Sequence, residues 1–121
     1  MKKVFLISLI FGVLFLAGCQ KKEIIKEEKQ INSYDDFAKC LTEKGATMYG
    51  TEWCGYCKKQ KGMFKESFVH VNYVDCDQEK IKCQQAGVRG YPTWGFSDGP
   101  NKSGVQEFST LAQKTGCNFS N

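Results

Sequence analysis

Histidine is nearly absent from this chain: His70 is the single copy among 121 residues. The one close cysteine pair, Cys54 and Cys57 in "CGYC", has no second close pair to match it. Together these shortages argue against structural zinc, which takes four nitrogen or sulfur ligands, often from two close pairs. No apolar run reaches the roughly 20 residues that a helix needs to cross a bilayer core. The longest, "VFLISLIFGVLFLAG" over residues 4–18, has 15. No basic patch interleaves with aromatics, so nothing marks a nucleic-acid surface. No repeat and no second domain is visible. His70 lies in "SFVHVNYVDC", and a solvent-facing or edge position in a strand accounts for it.

The apolar run follows Lys2 and Lys3. A charged start and a short apolar core fit an export signal better than a stable membrane span. The run ends in "LAGC", Leu16 to Cys19. That stretch resembles the lipobox of bacterial lipoproteins. The resemblance implies cleavage after residue 18 and lipidation of Cys19, whose acyl chains then hold the protein on a membrane. Gln20, not Asp, follows the cysteine, which leans toward outer-membrane sorting where an outer membrane exists. Loss of residues 1–18 removes Lys2 and Lys3 and lowers the formal charge from +4 to +2. The remaining chain is long enough for one domain and one modest core. Residues 19–32 read as a lipidated cysteine and charged tether, since mixed charge with few apolar side chains gives little to bury. Ile24 and Ile25 leave a short strand or a helical extension as the competing reading.

With Cys19 set aside, six cysteines remain, at 40, 54, 57, 76, 83 and 117. An even set in an exported domain of this size points to disulfides.

Residues 33–121 read as alternating helices and strands. Ser33 with Asp36 resembles a capping box, and Gly45 is a stop for the helix that follows. "ATMY", residues 46–49, reads as a buried strand. A helix is expected from about Tyr56 to Glu66, a strand over residues 68–75, and a short helix over residues 78–86. "PTWGF" opens another strand, and "SDGPNKSG" reads as a hairpin connection returning through residues 104–106. A last helix is expected over residues 109–115, closed by Gly116.

This order puts Cys54 where a strand ends and a helix begins. Unpaired N–H groups at a helix start favour negative charge, which suits a thiolate. Two intervening residues let Cys57 swing back and close a small ring, so the pair can alternate between dithiol and disulfide.

"TEWCGYCKK", "VDCD" and "VRGYPTW", in that order, resemble a thioredoxin-fold thiol–disulfide oxidoreductase over about residues 33–117. The closer resemblance is to the thioredoxin-like domain associated with bacterial vitamin K epoxide reductase homologues. It rests on the cysteine in "FAKCL", on Cys76 and Cys83, on "GYPTW" and on "LAQKTGC". The fold implied is α/β, a central mixed sheet flanked by helices. Cys54 is then the nucleophile and Cys57 the resolving thiol. Trp53 packs beside the nucleophile, and Gly55 and Tyr56 form the variable dipeptide. Pro92 is the family's cis-proline, with the Tyr91 backbone presented to an extended substrate. No cofactor and no metal is expected.

Three departures stand out. Tyr56 replaces the proline of thioredoxins proper. Met48 stands where the family carries a buried Asp, and Val71 is matched to that Asp's usual Lys partner. Glu52 or a water is left as the substitute. Lys58 and Lys59 either favour a thiolate or are ordinary exposed helix residues. The other four cysteines allow three pairings. Cys76–Cys83 is the local choice. Cys40–Cys117 would then link the first and last helices, which cover opposite sheet faces in the usual topology and so could join only near a sheet edge or end.

The expected function is thiol–disulfide exchange in a cell envelope, oxidising exported proteins that carry thiols. The expected partner is a quinone-linked membrane oxidase of the epoxide-reductase type. Two alternatives stay open: a reductase fed by a membrane electron carrier, and a non-catalytic binding module or copper chaperone.

Overall fold

The computed structural model describes residues 33–119. The signal and tether expected over residues 1–32, with Cys19 and the Ile24–Ile25 alternative, lie outside the described residues, as does the Ser33 side chain expected to cap the first helix. The order is α1 (Ser33–Glu43), β1 (Thr47–Gly50), α2 (Gly55–Phe64), a 3₁₀ segment (Lys65–His70), β2 (Tyr73–Asp75), α3 (Lys80–Gln85), β3 (Thr93–Gly95), β4 (Lys102–Ser103) and α4 (Phe108–Thr115). Among the described residues, no helix is long and apolar enough to cross a membrane.

The strands form one mixed sheet in the order β2-β1-β3-β4. β1 runs parallel to β2, pairing Met48 with Tyr73, and antiparallel to β3, pairing Met48 with Trp94. The period of two sorts the sheet's side chains. Met48 enters the main core, whereas its neighbour Tyr49 packs on a second cluster of Val74, Cys76 and Cys83. α1, α2 and α4 supply Phe37, Leu41, Phe64 and Leu111 to the main core, each fully buried with Trp94. Burying a side chain of this size contributes about 1.5–3 kcal/mol. α3 brings Cys83 to the second cluster.

The α/β class and mixed sheet match the expected architecture, but three boundaries differ. α2 stops at Phe64 rather than Glu66, where Lys65 takes a positive φ of 53°. Residues 65–70 are then 3₁₀, so the strand expected from residue 68 begins only at Tyr73 and β2 is three residues long. Aromatic packing overrides the strand-like alternation here: Phe68 sits 6.0 Å from Phe64 and 5.7 Å from Tyr73. Val69, inside the strand expected over residues 68–75, is 80% exposed. His70 is in this turn, not a strand, and its Nε2 lies 3.7 Å from Asp35. The hairpin returns through residues 102–103 rather than 104–106. Gly104 turns to a φ of 88° after one last bond, its N–H donating to the Pro92 carbonyl at 2.7 Å, and Gln106 N–H donates to a side chain, Gln60 Oε1.

Among the described residues two disulfides are present, Cys76–Cys83 and Cys40–Cys117. The second corrects the placement of the end helices. α1 and α4 do not lie on opposite sides but meet in the main core, with Phe37 5.2 Å from Phe108 and 5.1 Å from Phe119. This phenylalanine cluster draws Cys40 and Cys117 to a Cα separation of 5.9 Å. Gly116 makes the chain reversal possible. It holds a left-handed φ of 76° while its N–H donates to the Ala112 carbonyl.

Candidate active site

Cys54 is the residue that caps α2. Its backbone is extended, and its Sγ accepts a hydrogen bond from the Cys57 N–H at 3.1 Å. A sulfur here replaces the usual side-chain oxygen of a helix N-cap and faces the positive end of the helix. Cys54 and Cys57 are both free thiols. They differ in access: Cys54 is 7% exposed and Cys57 wholly buried. Burial, and then the Cys54 sulfur beside it, push the Cys57 thiol up to about 12. Removing water disfavours the thiolate.

The Tyr91–Pro92 peptide bond is cis. The Tyr91 carbonyl oxygen accepts from Cys54 Sγ at 3.6 Å, across a sequence gap of 37 residues. The Tyr91 and Trp53 rings meet edge to face at 6.1 Å. Trp53 is 67% exposed and Tyr56 69% exposed. Gly55, Tyr56 and Lys59 line a shallow surface hollow beside the cysteine. The expected site residues therefore converge. Trp53, Cys54, Gly55 and Tyr56 come from the β1–α2 turn, and Tyr91 and Pro92 from the loop before β3. Cys76 and Cys83 stand one strand away, and Cys40 and Cys117 tie the far helices together.

Four further residues shape the site. Asp77 accepts a hydrogen bond from Trp53 Nε1 at 2.8 Å. "VDCD" contained this aspartate, but only the fold brings it to the indole. Gly50 passes under the pair so closely that a Cβ there would meet Cys57 Sγ at 2.8 Å and Tyr73 Cε2 at 3.3 Å. Gln60 is fully buried on α2. Its Oε1 accepts from Trp94 Nε1 at 3.0 Å and from Gln106 N–H at 2.7 Å, and its Nε2 donates to the Gln106 carbonyl at 3.1 Å. That amide anchors the helix carrying Cys57 to β3 and to the segment before α4. Lys61 bonds Glu52 at 2.9 Å, and its Nζ sits 3.9 Å above the Tyr73 ring. Lys61 thereby holds the Glu52 carboxyl below its usual range.

On β2 the residue paired with Met48 is Tyr73, and Val71, matched by sequence to the family's lysine, is buried just before that strand. Lys58 and Lys59 are exposed on α2, whereas Lys61 is half-buried. Among the described residues, no group of three or more His, Cys, Asp or Glu is placed to hold a metal ion.

A thioredoxin family model matches residues 28–115. Thiol-disulfide oxidoreductase LTO1 of Arabidopsis thaliana is 40% identical over 88 residues, covering 65% of this chain and 23% of that protein. Probable protein disulfide-isomerase A6 of Medicago sativa is 31% identical over 101 residues, 75% of this chain and 26% of its own length. Protein disulfide-isomerase of Humicola insolens is 35% identical over 89 residues, 68% of this chain and 17% of its own length. The chain thus spans 26% or less of each of these relatives. A match from residue 28 to residue 115 takes in every element from α1 to α4 and the Cys54–Cys57 turn, and the chain belongs to the thioredoxin family.

Proposed function

We propose that this protein is a lipid-anchored thiol–disulfide oxidoreductase of a bacterial cell envelope. It oxidises the dithiols of exported proteins through Cys54 and Cys57. The observation that carries the reading is the asymmetry of the pair: Cys54 caps a helix beside the Tyr91 carbonyl and keeps 7% of its surface exposed, with Cys57 wholly buried behind it. A substrate thiolate attacks Cys54 Sγ of the oxidised pair. The Cys54–Cys57 bond breaks, and Cys57 leaves as a thiolate and takes up a proton. A second substrate thiolate attacks the substrate sulfur of the mixed disulfide. The substrate disulfide forms, and Cys54 leaves. Two electrons and two protons have then moved from the substrate to the cysteine pair.

The Tyr91 backbone beside Cys54 offers an edge for a substrate strand, and Trp53 and Tyr56 give it an apolar rim. A membrane oxidase linked to quinone, of the vitamin K epoxide reductase type, reoxidises the pair. Support for the anchor is "LAGC" alone. The mature N-terminus should be lipidated Cys19. Intact-mass measurement checks this, and an unlipidated N-terminus on the membrane-targeted protein would remove the anchor from the proposal.

Equilibration of the pair with glutathione tests the chemistry and its direction. A potential above about −200 mV supports oxidation of substrates, and one below about −250 mV makes the protein a reductase. Cys54→Ala abolishes exchange, whereas Cys57→Ala traps mixed disulfides on Cys54. A folded protein with accessible Cys54 and no exchange at all would leave a binding module.

A further inference from the structure

Cys57 faces a chemical difficulty. To close the disulfide with Cys54 it must ionise, yet it is wholly buried. At the positions matched to the buried carboxylate and lysine partner of thioredoxins, this chain has Met48 and Val71. Neither is charged at neutral pH. The charge nearest to hand comes from α2 itself. Lys61 lies four residues after Cys57, one turn along the same helix face. Its ammonium does not swing freely: Glu52 holds it at 2.9 Å, and the Tyr73 ring lies beneath it at 3.9 Å. The same ring edge approaches the point that Cys57 Sγ crowds above Gly50. Phe68 flanks the ammonium at 5.5 Å.

We propose that Lys61, clamped between Glu52 and the Tyr73 ring, is the positioning residue whose charge lets Cys57 ionise for the resolving step. This rests on the exchange chemistry proposed above. In that step the Cys57 S–H gives its proton to solvent base. This is the reoxidation half of the cycle: the thiolate attacks Cys54 Sγ of the mixed disulfide that Cys54 forms with the oxidising disulfide, the Cys54–Cys57 bond forms as the bond to that partner breaks, and the partner's sulfur leaves as a thiolate. Lys61 touches neither sulfur of the breaking bond. It acts through space, and a positive charge near a buried thiol favours its anion. The titratable groups that face Cys57 are Cys54, Lys61 and Tyr73, and Glu52 and Asp75 act in turn on Tyr73. Among these, Lys61 is the cation. Its clamp explains why Lys61 serves in this role and the exposed Lys58 and Lys59 do not.

The test uses the reduced protein and a symmetrical aromatic disulfide that releases a coloured thiolate. The first equivalent released reports attack by Cys54, and the second reports resolution by Cys57. Rates of both phases are followed against pH by stopped flow. Lys61→Met keeps the aliphatic stem over the aromatic rings and removes the charge. We expect the second phase to slow by about 5–10-fold near neutral pH and its midpoint to move up by ~1 unit, with the first phase unchanged. Lys61→Arg should keep the wild-type midpoint. Lys58→Met, which removes the same charge one turn before Lys61 on the exposed face of α2, should also match wild type. Lys61→Gln repeats the test should the methionine variant fold poorly. A second-phase profile that superimposes on wild type in Lys61→Met or Lys61→Gln overturns the proposal, as does an equal shift in Lys58→Met. If wild type releases one equivalent and never the second, the exchange chemistry itself is wrong, and that result is distinct from a silent Lys61.

Discussion

Trp53 donates its indole N–H to the Asp77 carboxylate across 2.8 Å, bridging the turn that carries Cys54 and the turn after β2. The Cys76–Cys83 disulfide closes the segment in which Asp77 sits. A staple one residue from the acceptor thus holds the aromatic wall of the active site. Asp77→Ala should free the Trp53 ring while leaving Trp94 buried. The expected readout is a red-shifted fluorescence component from Trp53 and a stability loss of about 0.5–1.5 kcal/mol or less, since the bond is exposed. An unchanged spectrum would mean that Tyr91 alone holds the indole.

The two disulfides should differ in their contribution. They close loops with sequence separations of 7 and 77 residues. Loop-closure entropy gives about 2.5 kcal/mol for the shorter and about 4.5 kcal/mol for the longer. Replacing Cys40 and Cys117 by serine should therefore lower the denaturant midpoint more than replacing Cys76 and Cys83. The reverse order, measured by urea unfolding of the two double variants, would place the main stabilisation in the native state rather than in chain entropy.

Gly50→Ala tests how closely β1 passes beneath the cysteines. The added methyl meets Cys57 Sγ and Tyr73, both packed. Overpacking of this kind costs about 1–3 kcal/mol. Thermal unfolding should register that loss in the reduced protein, and exchange should slow as Cys57 shifts. Wild-type stability together with wild-type exchange would contradict the packing described.

The stability of the reduced protein should fall in alkali. Cys57 is raised from 9.0 to about 12 by burial, and Tyr73 is raised for the same reason, with Glu52 adding to it. Both groups are neutral when protonated. A raised folded-state value means that folding favours the neutral form. That contribution is complete below the unfolded-state value and is lost as pH rises through the folded one. The window for Cys57 opens at about pH 9 and extends to about 12. Oxidation removes Cys57 from titration and leaves Tyr73. The gap in denaturant midpoint between oxidised and reduced protein should widen above about pH 9, and a constant gap would refute the burial of Cys57 as its cause.

Much of this arrangement was legible in the residues. Short-range patterns read well: "ATMY" is a buried strand, Gly116 does end the last helix, and "TEWCGYC" does turn from strand to helix. What failed depended on distance. Residues 68–75 alternate as a strand should, but Phe68 found better contacts with Phe64 and Tyr73 in a 3₁₀ turn. The meeting of α1 and α4 required Phe37, Phe108 and Phe119 to cluster, and nothing local announces that choice. Asp77, Gln60 and Lys61 looked like ordinary polar residues. Only Gln60 carried a hint, as an amide on the same helical face as Cys57 and Phe64.

The bond between Cys40 and Cys117 makes the folded domain a covalent ring. Everything between them, including the redox pair, both turns around it and the exposed hairpin at residues 97–101, belongs to one closed circuit. A single peptide cleavage in that hairpin would open the circuit without releasing either piece. Both halves would stay linked, with the broken ends far from the cysteines in sequence, so damage at the sheet edge need not separate Cys54 from the loop that carries Tyr91 and Pro92.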